Sequence, residues 1–253
     1  MSSIRRTGIV VPCFNEASRL RLDAYQAALT ASPWLEFIFV DDGSGDSTGA
    51  MLDSFRAAAG LRVHVLHLDV NSGKAEAVRR GVLQAFDLGF ELIGYWDADL
   101  ATPLRYIEIF AEVLDRPNTV LVVGSRVRLL GRRVERSPLR HFAGRGFATL
   151  ASLTLGLPIY DTQCGAKLFY ARDVVRDAFS RPFSLRWAFD VELLNRLLEQ
   201  QAGGAPIDVR NQCVEYPLEE WIDAPGSKLR PHHVPKILRE LVAMVGMARK
   251  RRK

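Results

Sequence analysis

The sequence predicts an α/β protein with a mostly parallel central sheet flanked by helices. Five short apolar runs are continuous rather than alternating, which is typical of strands covered on both faces. The segments between them repeat apolar residues at helical spacing, and strands that alternate with helices pair in parallel through right-handed crossovers. The predicted strands are Gly8–Pro12, Phe37–Val40, Val63–Leu66, Leu92–Trp96 and Val120–Val123.

Helices are predicted from apolar spacing and from end signals. Lys74–Leu88 places its apolar residues on one face. A second helix is expected to be capped by Thr102 and to begin at Pro103, because threonine favours the N-cap and proline the first turn. The later part of the chain predicts helices over 139–155 and 186–200, a strand over 212–217 and a final helix from Pro235.

The composition is that of an ordinary globular protein: of 253 residues, 48% are hydrophobic and 25% are charged. We expect one domain over residues 1–230. Residues 231–253 are expected to form an amphipathic C-terminal helix that leads into a basic tail. A second basic cluster lies between Arg126 and Arg140. Basic clusters favour phosphates, nucleic acids or anionic membranes, and they are also common on merely solvated surfaces.

Cysteine and histidine patterns exclude several kinds of site. The three cysteines and five histidines show no paired or metal-binding spacing. This argues against a disulfide scaffold and a zinc site, and for reduced thiols in the cytoplasm. The N-terminus lacks the apolar stretch of a signal peptide, and no window is long and apolar enough to cross a bilayer. We therefore expect a cytoplasmic protein that is soluble or bound to the membrane surface.

Two aspartates mark the most informative loop. Asp97 and Asp99 directly follow the predicted strand Leu92–Trp96, so their carboxylates are expected at the edge where open α/β sheets bind ligands. Hard oxygen donors suit Mg²⁺ or Mn²⁺ held together with a substrate phosphate. The alternative is a solvated turn that caps the next helix, since aspartate is common in turns.

Other polar loops follow predicted strands at the same edge. Pro12–Glu16 comes after the first strand, and Asp41–Gly43 after the second. Asp42 can accept hydrogen bonds from a base or a ribose, although an Asx turn explains the same residues. Asn71–Lys74 opens a helix whose amides and lysine can neutralise a diphosphate, and its glycine spacing excludes a Walker loop.

Taken in order, these motifs resemble the family 2 glycosyltransferases of the GT-A fold. They read Pro-x-x-Asn-Glu, Val-Asp-Asp-Gly-Ser, Asn-x-Gly-Lys, Asp-Ala-Asp and Val-Gly-Ser-Arg. Later segments at 161–169, 187–194 and 221–229 are similar to dolichyl-phosphate glucosyltransferases and their bacterial polyprenyl-phosphate relatives. So many motifs in one order are hard to obtain by chance, and the resemblance covers residues 7–230.

The resemblance implies a role for each motif. A nucleotide-sugar donor, UDP-glucose above all, would be held by Pro12, Asn15, Glu16, Asp41, Asp42, Lys74, Asp97 and Arg126. The divalent metal, Mg²⁺ or Mn²⁺, would be held by Asp97 and Asp99. The polyprenyl-phosphate acceptor would meet Gln163, Lys167, Ser227 and Arg230. The catalytic residues would be Asp190, Asp161 and Lys228.

The implied reaction is the inverting, metal-dependent transfer of glucose, or a related hexose, from a UDP-sugar to polyprenyl or dolichyl phosphate. A phosphate acceptor is already ionised near neutral pH, whereas a hydroxyl of a glycan or small molecule would need a base. Asp190 would be that base, with Asp161 second; the alternative for Asp190 is a polar residue at a helix start. Two positions depart from the family pattern: Ala75, where glycine is frequent, and Ala166, where an aromatic is usual.

Basic and apolar residues also predict contact with a membrane. The C-terminal helix with its tail, and the stretch 140–155, have the pattern of interfacial segments drawn to anionic headgroups. The alternative packs both apolar faces on the sheet and leaves the charges in solvent. We expect peripheral association with the inner face of the membrane. Nucleic acid is not an expected partner, because the tail has no interleaved aromatic residues, so a nucleotide- or nucleic-acid-binding module is the least favoured alternative.

Overall fold

The computed structural model describes residues 5–135, 138–222, 239–240, 242–244 and 246, with residues 135 and 138–143 as backbone only. The basic tail and most of the expected C-terminal helix lie outside the described residues, as do Ser227, Lys228 and Arg230. The division of the chain at residue 230 therefore stays a prediction.

Strands form where the sequence has continuous apolar runs. They are β1 (Thr7–Cys13), β2 (Leu35–Asp41), β3 (Val63–His67), β4 (Leu92–Trp96), β5 (Leu121–Ser125), β6 (Arg133–Glu135), β7 (Ala166–Tyr170), β8 (Cys213–Pro217) and β9 (Glu220–Ile222). The first five and β8 match the predicted strands to within a few residues. Strands β6, β7 and β9 were not predicted from the sequence.

The helices are α1 (Leu22–Ala31), α2 (Thr48–Ala59), α3 (Lys74–Asp87), α4 (Tyr106–Leu114), α5 (Pro138–Leu155), α6 (Asp173–Ser180), α7 (Phe189–Ala202) and α8 (Val209–Gln212). The predictions for α3 and α5 are confirmed. Two helices begin three residues later than expected. At α4, the amides of Tyr106 and Ile107 bond to carbonyls three residues back, which makes a tight turn instead of a helical start, and Thr102 is not the cap.

The late start of α7 has a different cause. The backbone amides of Arg186, Trp187 and Ala188 all donate to the Glu240 carboxylate, at 2.9–3.2 Å. These amides are held in a loop by a distant side chain, and the helix begins at Phe189. Sequence periodicity carries no information about such a long-range partner.

The central sheet has seven strands in the order β3-β2-β1-β4-β7-β5-β8. Every pairing of β1–β4, and the pairing of β5 with β8, is parallel. Only β7 runs antiparallel to its neighbours, β4 and β5. A separate parallel pair joins β6 to β9. The expected mostly parallel α/β architecture is confirmed.

Helices cover the sheet on both faces. Alternate residues of each central strand enter opposite cores: Val10 packs with residues of α3 and α7, whereas Ile9 and Val11 pack with residues of α1, α2 and α4. All three of these strand residues are fully buried. This two-sided burial explains why the strand sequences are continuous apolar runs.

The strand order reverses direction at β1, which pairs with β2 on one side and β4 on the other. Chain connections diverge at this point, so the loops after β1 and β4 open a crevice at the carboxyl edge of the sheet. Because β7 is antiparallel, its amino end lies at the same edge, beside the end of β4. The residues preceding β7 thereby join the loops of the parallel strands.

Candidate functional site

The Asp97 carboxylate lies at the carboxyl edge, immediately after β4. Its Oδ1 forms an ion pair with Lys74 Nζ at 2.5 Å. Lys74 is the first residue of α3. The pKa of Lys74 is raised: burial lowers it, but the carboxylates of Asp97, Asp190 and Asp99 outweigh that effect. The structure thus brings together four residues predicted for the site: the Lys74 ammonium and the carboxylates of Asp97, Asp99 and Asp190.

Gly165 forms the surface on which the Asp97 carboxylate packs. A Cβ atom at Gly165 would lie 2.0 Å from Asp97 Oδ2. The backbone amide of Asp97 also donates to the Gly165 carbonyl at 3.1 Å. A side chain at position 165 would therefore displace the carboxylate, so the glycine fixes where Asp97 points.

Asp99 is half-buried, as Asp97 is, and its Oδ1 accepts from the Ala101 amide at 3.1 Å. Burial raises the pKa of Asp99, and the neighbouring Asp97 charge raises it further. Two crowded carboxylates of this kind fit a divalent cation, because a cation relieves both effects. Within the described part of the chain, no three His, Cys, Asp or Glu residues cluster as ligands, so the remaining ligands would come from a bound diphosphate and water.

Asp42 organises the third loop of the edge. Its Oδ1 accepts from the Ser72 amide at 2.7 Å and its Oδ2 from the Gly73 amide at 2.8 Å. Burial raises the pKa of this carboxyl group. Gly43 beside it has φ +65°, and a Cβ there would lie 2.6 Å from the Val70 backbone. Asp42 therefore joins the loops after β2 and β3, and a contact with the nucleotide stays a prediction.

The loop after β1 is tied to the loop after β2. Asn15 adopts a left-handed backbone conformation, with φ 51°, and its Oδ1 accepts from the Gly45 amide at 2.9 Å. Glu16 is buried and paired with Arg19 on both carboxylate oxygens. Pro12 lies half-buried within β1, and Asp41 at the end of β2 accepts from the Ser44 amide at 3.1 Å.

Arg126 and Asp161 form a two-pronged ion pair at the far side of the edge. Arg126 Nε and Nη2 donate to the two Asp161 oxygens at 2.6 and 2.8 Å. The pKa of Arg126 is raised, since Asp161 outweighs the effect of burial. Both Asp161 oxygens serve the guanidinium, so Asp161 acts as the partner of Arg126. A role of Asp161 as a base stays a prediction.

Asp190, at the start of α7, belongs to a buried polar cluster. Its Oδ1 accepts from the Tyr95 hydroxyl and from Lys167 Nζ, both at 2.5 Å. Burial raises the pKa of Tyr95 well above 10, and Asp190 adds to the shift, so the phenol remains a donor. Asp190 is near enough to Lys74 to raise the pKa of the lysine. The buried cluster therefore lies beside the Asp97–Lys74 ion pair.

Lys167 is a correction to the predicted acceptor site. Its side chain is 0% exposed, and Nζ donates to the Thr162 and Cys164 carbonyls, at 3.0 and 2.8 Å, as well as to Asp190. An ammonium has three donors and all three are used. Lys167 therefore clamps the turn that carries Gly165 and does not face an acceptor.

Gln163, the remaining described residue of the predicted acceptor set, is half-buried. Its Nε2 donates to the Trp187 carbonyl at 3.1 Å, which links the turn before β7 to the loop before α7. An acceptor contact for Gln163 stays a prediction. So do the acceptor contacts of Ser227 and Arg230 and the catalytic role of Lys228, which lie outside the described residues.

Several site residues were not predicted. Tyr95 is the last-but-one residue of an apolar strand and read as core. Gly165 lies in the segment 161–169, and nothing else in the sequence indicated that it belongs to the site. Arg19 and Arg186 add positive charge beside Asp99 and Asp42, respectively. The missing signal is three-dimensional, because each of these residues acquires its role from a partner far away in the sequence.

Comparisons with known proteins show the family of the chain. The family model described as Glycosyl transferase family 2 matches residues 8–177. A dolichyl-phosphate beta-glucosyltransferase of Homo sapiens is 34% identical over 254 residues, covering 91% of this chain and 71% of the relative. One from Trichomonas vaginalis is 34% identical over 250 residues, covering 93% of this chain and 69% of the relative.

Solved structures share the fold. Glucosyl-3-phosphoglycerate synthase from Mycobacterium tuberculosis, crystallised with Mn²⁺, UDP-glucose and phosphoglyceric acid, superposes with a TM-score of 0.65. The superposition covers 96% of this chain and 80% of the synthase, at 18% sequence identity. At this identity the likeness supports the fold.

Proposed function

Because the chain belongs to glycosyltransferase family 2, we propose that it transfers glucose, or a closely related hexose, from a UDP-sugar to a polyprenyl phosphate. It is a hexosyltransferase, as its relatives are. The observation that carries the proposal is the Asp97–Asp99 pair at the carboxyl edge, with Lys74 bonded to Asp97. This set is suited to hold a diphosphate and the cation that accompanies it.

Asp97 and Asp99 would hold a divalent cation, Mg²⁺ or Mn²⁺. When bound, such an ion stabilises the negative charge that develops on the departing nucleoside diphosphate. Lys74 lies at the N-terminus of α3, where a lysine and helix amides favour phosphate oxygens. Arg126, held in place by Asp161, would add a second fixed cation.

The uridine would lie over the loops after β1 and β2. Pro12, Asn15, Glu16 and Asp41 belong to these strand ends and loops. Asp42 sets the position of the loop that carries Lys74. Since these loops are bonded to each other, the donor subsite would be largely formed before a nucleotide arrives. A preformed site keeps the conformational cost of binding small.

The phosphate oxygen of a polyprenyl phosphate is ionised at neutral pH and attacks the anomeric carbon from the face opposite the diphosphate. Little proton transfer is needed for this step. The pairing of Asp190 with Lys167 and Tyr95 fits this requirement, because the carboxylate is occupied in holding the edge together. We assign Asp190 to positioning.

A hydroxyl acceptor is the alternative. It would require Asp190 as a base. Asp190→Asn distinguishes the two acceptors: turnover is abolished with a hydroxyl acceptor, whereas appreciable activity remains with a lipid phosphate. Because this variant leaves the Lys167 charge buried without a counter-charge, Asp190→Asn/Lys167→Met serves as the matched control for folding.

The proposed acceptor places the enzyme at a membrane surface, peripherally and on the inner face. Among the described residues, no helix is both long and apolar enough to span a bilayer. Support for surface attachment comes from the basic tail and from the basic cluster after β5.

The direct test uses UDP-[¹⁴C]glucose, undecaprenyl or dolichyl phosphate, and Mg²⁺ or Mn²⁺. We expect labelled lipid that requires the cation and disappears in Asp97→Asn. A screen of other nucleotide-sugars in the same assay defines the hexose and the base. Absence of label with every common nucleotide-sugar would contradict the proposal.

A further inference from the structure

The segment Arg128–Arg133 projects an apolar tip from the carboxyl edge of the sheet. The Leu130 side chain is 104% exposed and Leu129 is 47% exposed. These two neighbouring leucines are flanked by arginines at positions 128, 132 and 133. A pair of exposed leucines inside a basic segment is unlike the isolated exposed apolar residues of most surfaces.

The tip is a built turn. The Arg132 amide donates to the Leu129 carbonyl at 3.2 Å, and Gly131 between them has φ +78°. This combination is a β-turn with glycine at its third position, which presents Leu130 at the second, outermost position. The fold itself therefore holds the leucine in solvent.

The same turn is anchored on the end of β8 and on the residues that join β8 to β9. The Arg133 amide donates to the Glu219 carbonyl at 2.7 Å, and the Arg132 guanidinium donates to the Pro217 carbonyl. From Arg133 the chain enters β6, which pairs with β9. These bonds fix the tip to the central sheet.

The turn lies close to the proposed active site. Arg126 is paired with Asp161 at the edge, and Leu130 is only four residues further along, a span of at most about 14 Å. We infer that Leu129 and Leu130 insert into the interfacial layer of an anionic bilayer while the flanking arginines contact lipid phosphates. The inference rests on the proposed function, because it explains how a lipid-borne phosphate reaches Arg126.

Charge and apolar area select a bilayer as the occupant. Leucines bury favourably at the boundary between headgroups and acyl chains, and nearby arginines are attracted to anionic headgroups. Arg128 and Arg133 are exposed, so both side chains lie at the surface of the same segment. The two leucines are too few for a stable protein interface, which needs a much larger apolar patch.

The first test measures flotation with vesicles of phosphatidylcholine containing roughly one-third phosphatidylglycerol. We expect the full chain to float, and Leu129→Ser/Leu130→Ser to lower vesicle affinity by about tenfold or more. Leu61→Ser is the matched control: Leu61 is 94% exposed but precedes β3, at the opposite edge of the sheet. Equal affinity of the double variant and the parent would overturn the inference.

The second test locates the tip directly, so that the basic tail cannot mask the result. L130W is expected to gain a fluorescence component that brominated phosphatidylcholine quenches, and L61W is expected to gain none. If the added emission of L130W is not quenched, the tip does not enter the bilayer.

Failure of this inference is distinguishable from failure of the proposed function. With a short-chain polyprenyl phosphate dispersed in detergent, kcat of Leu129→Ser/Leu130→Ser should stay within about twofold of the parent, since no insertion is needed. Absence of transferase activity in the parent would contradict the proposed function. Normal activity of the parent, together with equal vesicle binding of the parent and the double variant, would contradict only the insertion of Leu129 and Leu130.

Discussion

At Gly165 the difference between a hydrogen atom and a methyl group decides where the Asp97 carboxylate lies. The carboxylate packs on the glycine Cα, and the Gly165 carbonyl accepts the Asp97 amide. Thr162 and Cys164, in the turn just before Gly165, are held by Lys167, whose ammonium donates to their carbonyls and to Asp190. The position of one predicted metal ligand thus depends on a glycine and a buried lysine.

Gly165→Ala tests this dependence. The added Cβ would force Asp97 away from its place, and misplacement of a reacting group by about 1 Å can cost about 100-fold in rate, so we expect kcat/KM to fall by that order. Gly146→Ala is the control, because a Cβ there meets nothing within 4 Å. Steady-state kinetics over a Mn²⁺ titration measure the effect. Equal activity of both variants would contradict the packing argument.

The Lys167–Asp190 pair predicts an asymmetric response to substitution. Lys167→Met removes the counter-charge from a buried carboxylate, and breaking a buried pair in this way costs about 3–5 kcal/mol. Lys167→Met/Asp190→Leu removes both charges and is expected to lose less free energy of unfolding than the single variant. Urea denaturation of the three proteins measures the difference. A double variant less stable than Lys167→Met would contradict the prediction.

At the scale of elements, His67 joins three of them. It ends β3, and its ring nitrogens contact Asp41 at the end of β2 and Asp53 on α2, at 3.3 and 3.2 Å. Burial lowers the pKa of His67, but the bonds to Asp53 and Asp41 outweigh it, so the pKa is raised above 6.5. A raised histidine pKa stabilises the fold at low pH, and this stability disappears as pH rises through the folded-state value.

The urea midpoint of the parent should therefore exceed that of His67→Gln by more at about pH 6 than at about pH 8.5. Asp53→Asn should shrink the same difference, since it removes one of the two carboxylates. The residue is half-exposed, so we expect a small effect. A difference that is constant with pH, or larger at the alkaline end, would show that the two carboxylates do not stabilise the charged ring.

The sequence was sufficient for six of the seven strands of the central sheet and insufficient for β7. Continuous apolar runs predicted β1–β5, because burial on both faces leaves a local pattern. Strand β7 was not predicted because its second residue is a fully buried lysine. A lysine indicates a surface position until its three hydrogen-bond partners are known. Its antiparallel pairing with β4 is a long-range choice that local spacing cannot specify.

The site shows the same division. The spacing of Asp97, Asp99 and Lys74 after their strands predicted a common edge, and the structure joins them there. Lys167 and Asp161 were assigned to chemistry from their motif, whereas each is committed to a structural partner. Roles that depend on what a side chain already holds could not be predicted from residue type and order.

At the scale of the whole molecule, the proposed function predicts a joint stabilisation by nucleotide and cation. UDP with Mn²⁺ should raise Tm, and each alone should raise it far less, because the ion joins the carboxylates to the diphosphate. At about 100 times Kd the gain is about 2.7 kcal/mol, which corresponds to a Tm shift of roughly 5 °C or more.

Differential scanning calorimetry with UDP, with MnCl₂ and with both measures this shift. Asp97→Asn/Asp99→Asn should abolish the synergy while leaving any weak effect of UDP alone. An equal rise with UDP in the presence of a chelator would exclude a role for the cation in nucleotide binding.

The antiparallel insertion of β7 has a consequence for synthesis on the ribosome. Strands β1–β4 are complete once Trp96 has been translated, yet one flank of β4 has no partner until Ala166–Tyr170 follow. At 5–20 residues per second this delay lasts roughly 4 to 15 s. During that interval the nascent chain exposes a flat, apolar, unpaired strand, the feature that chaperones shield and that seeds aggregation.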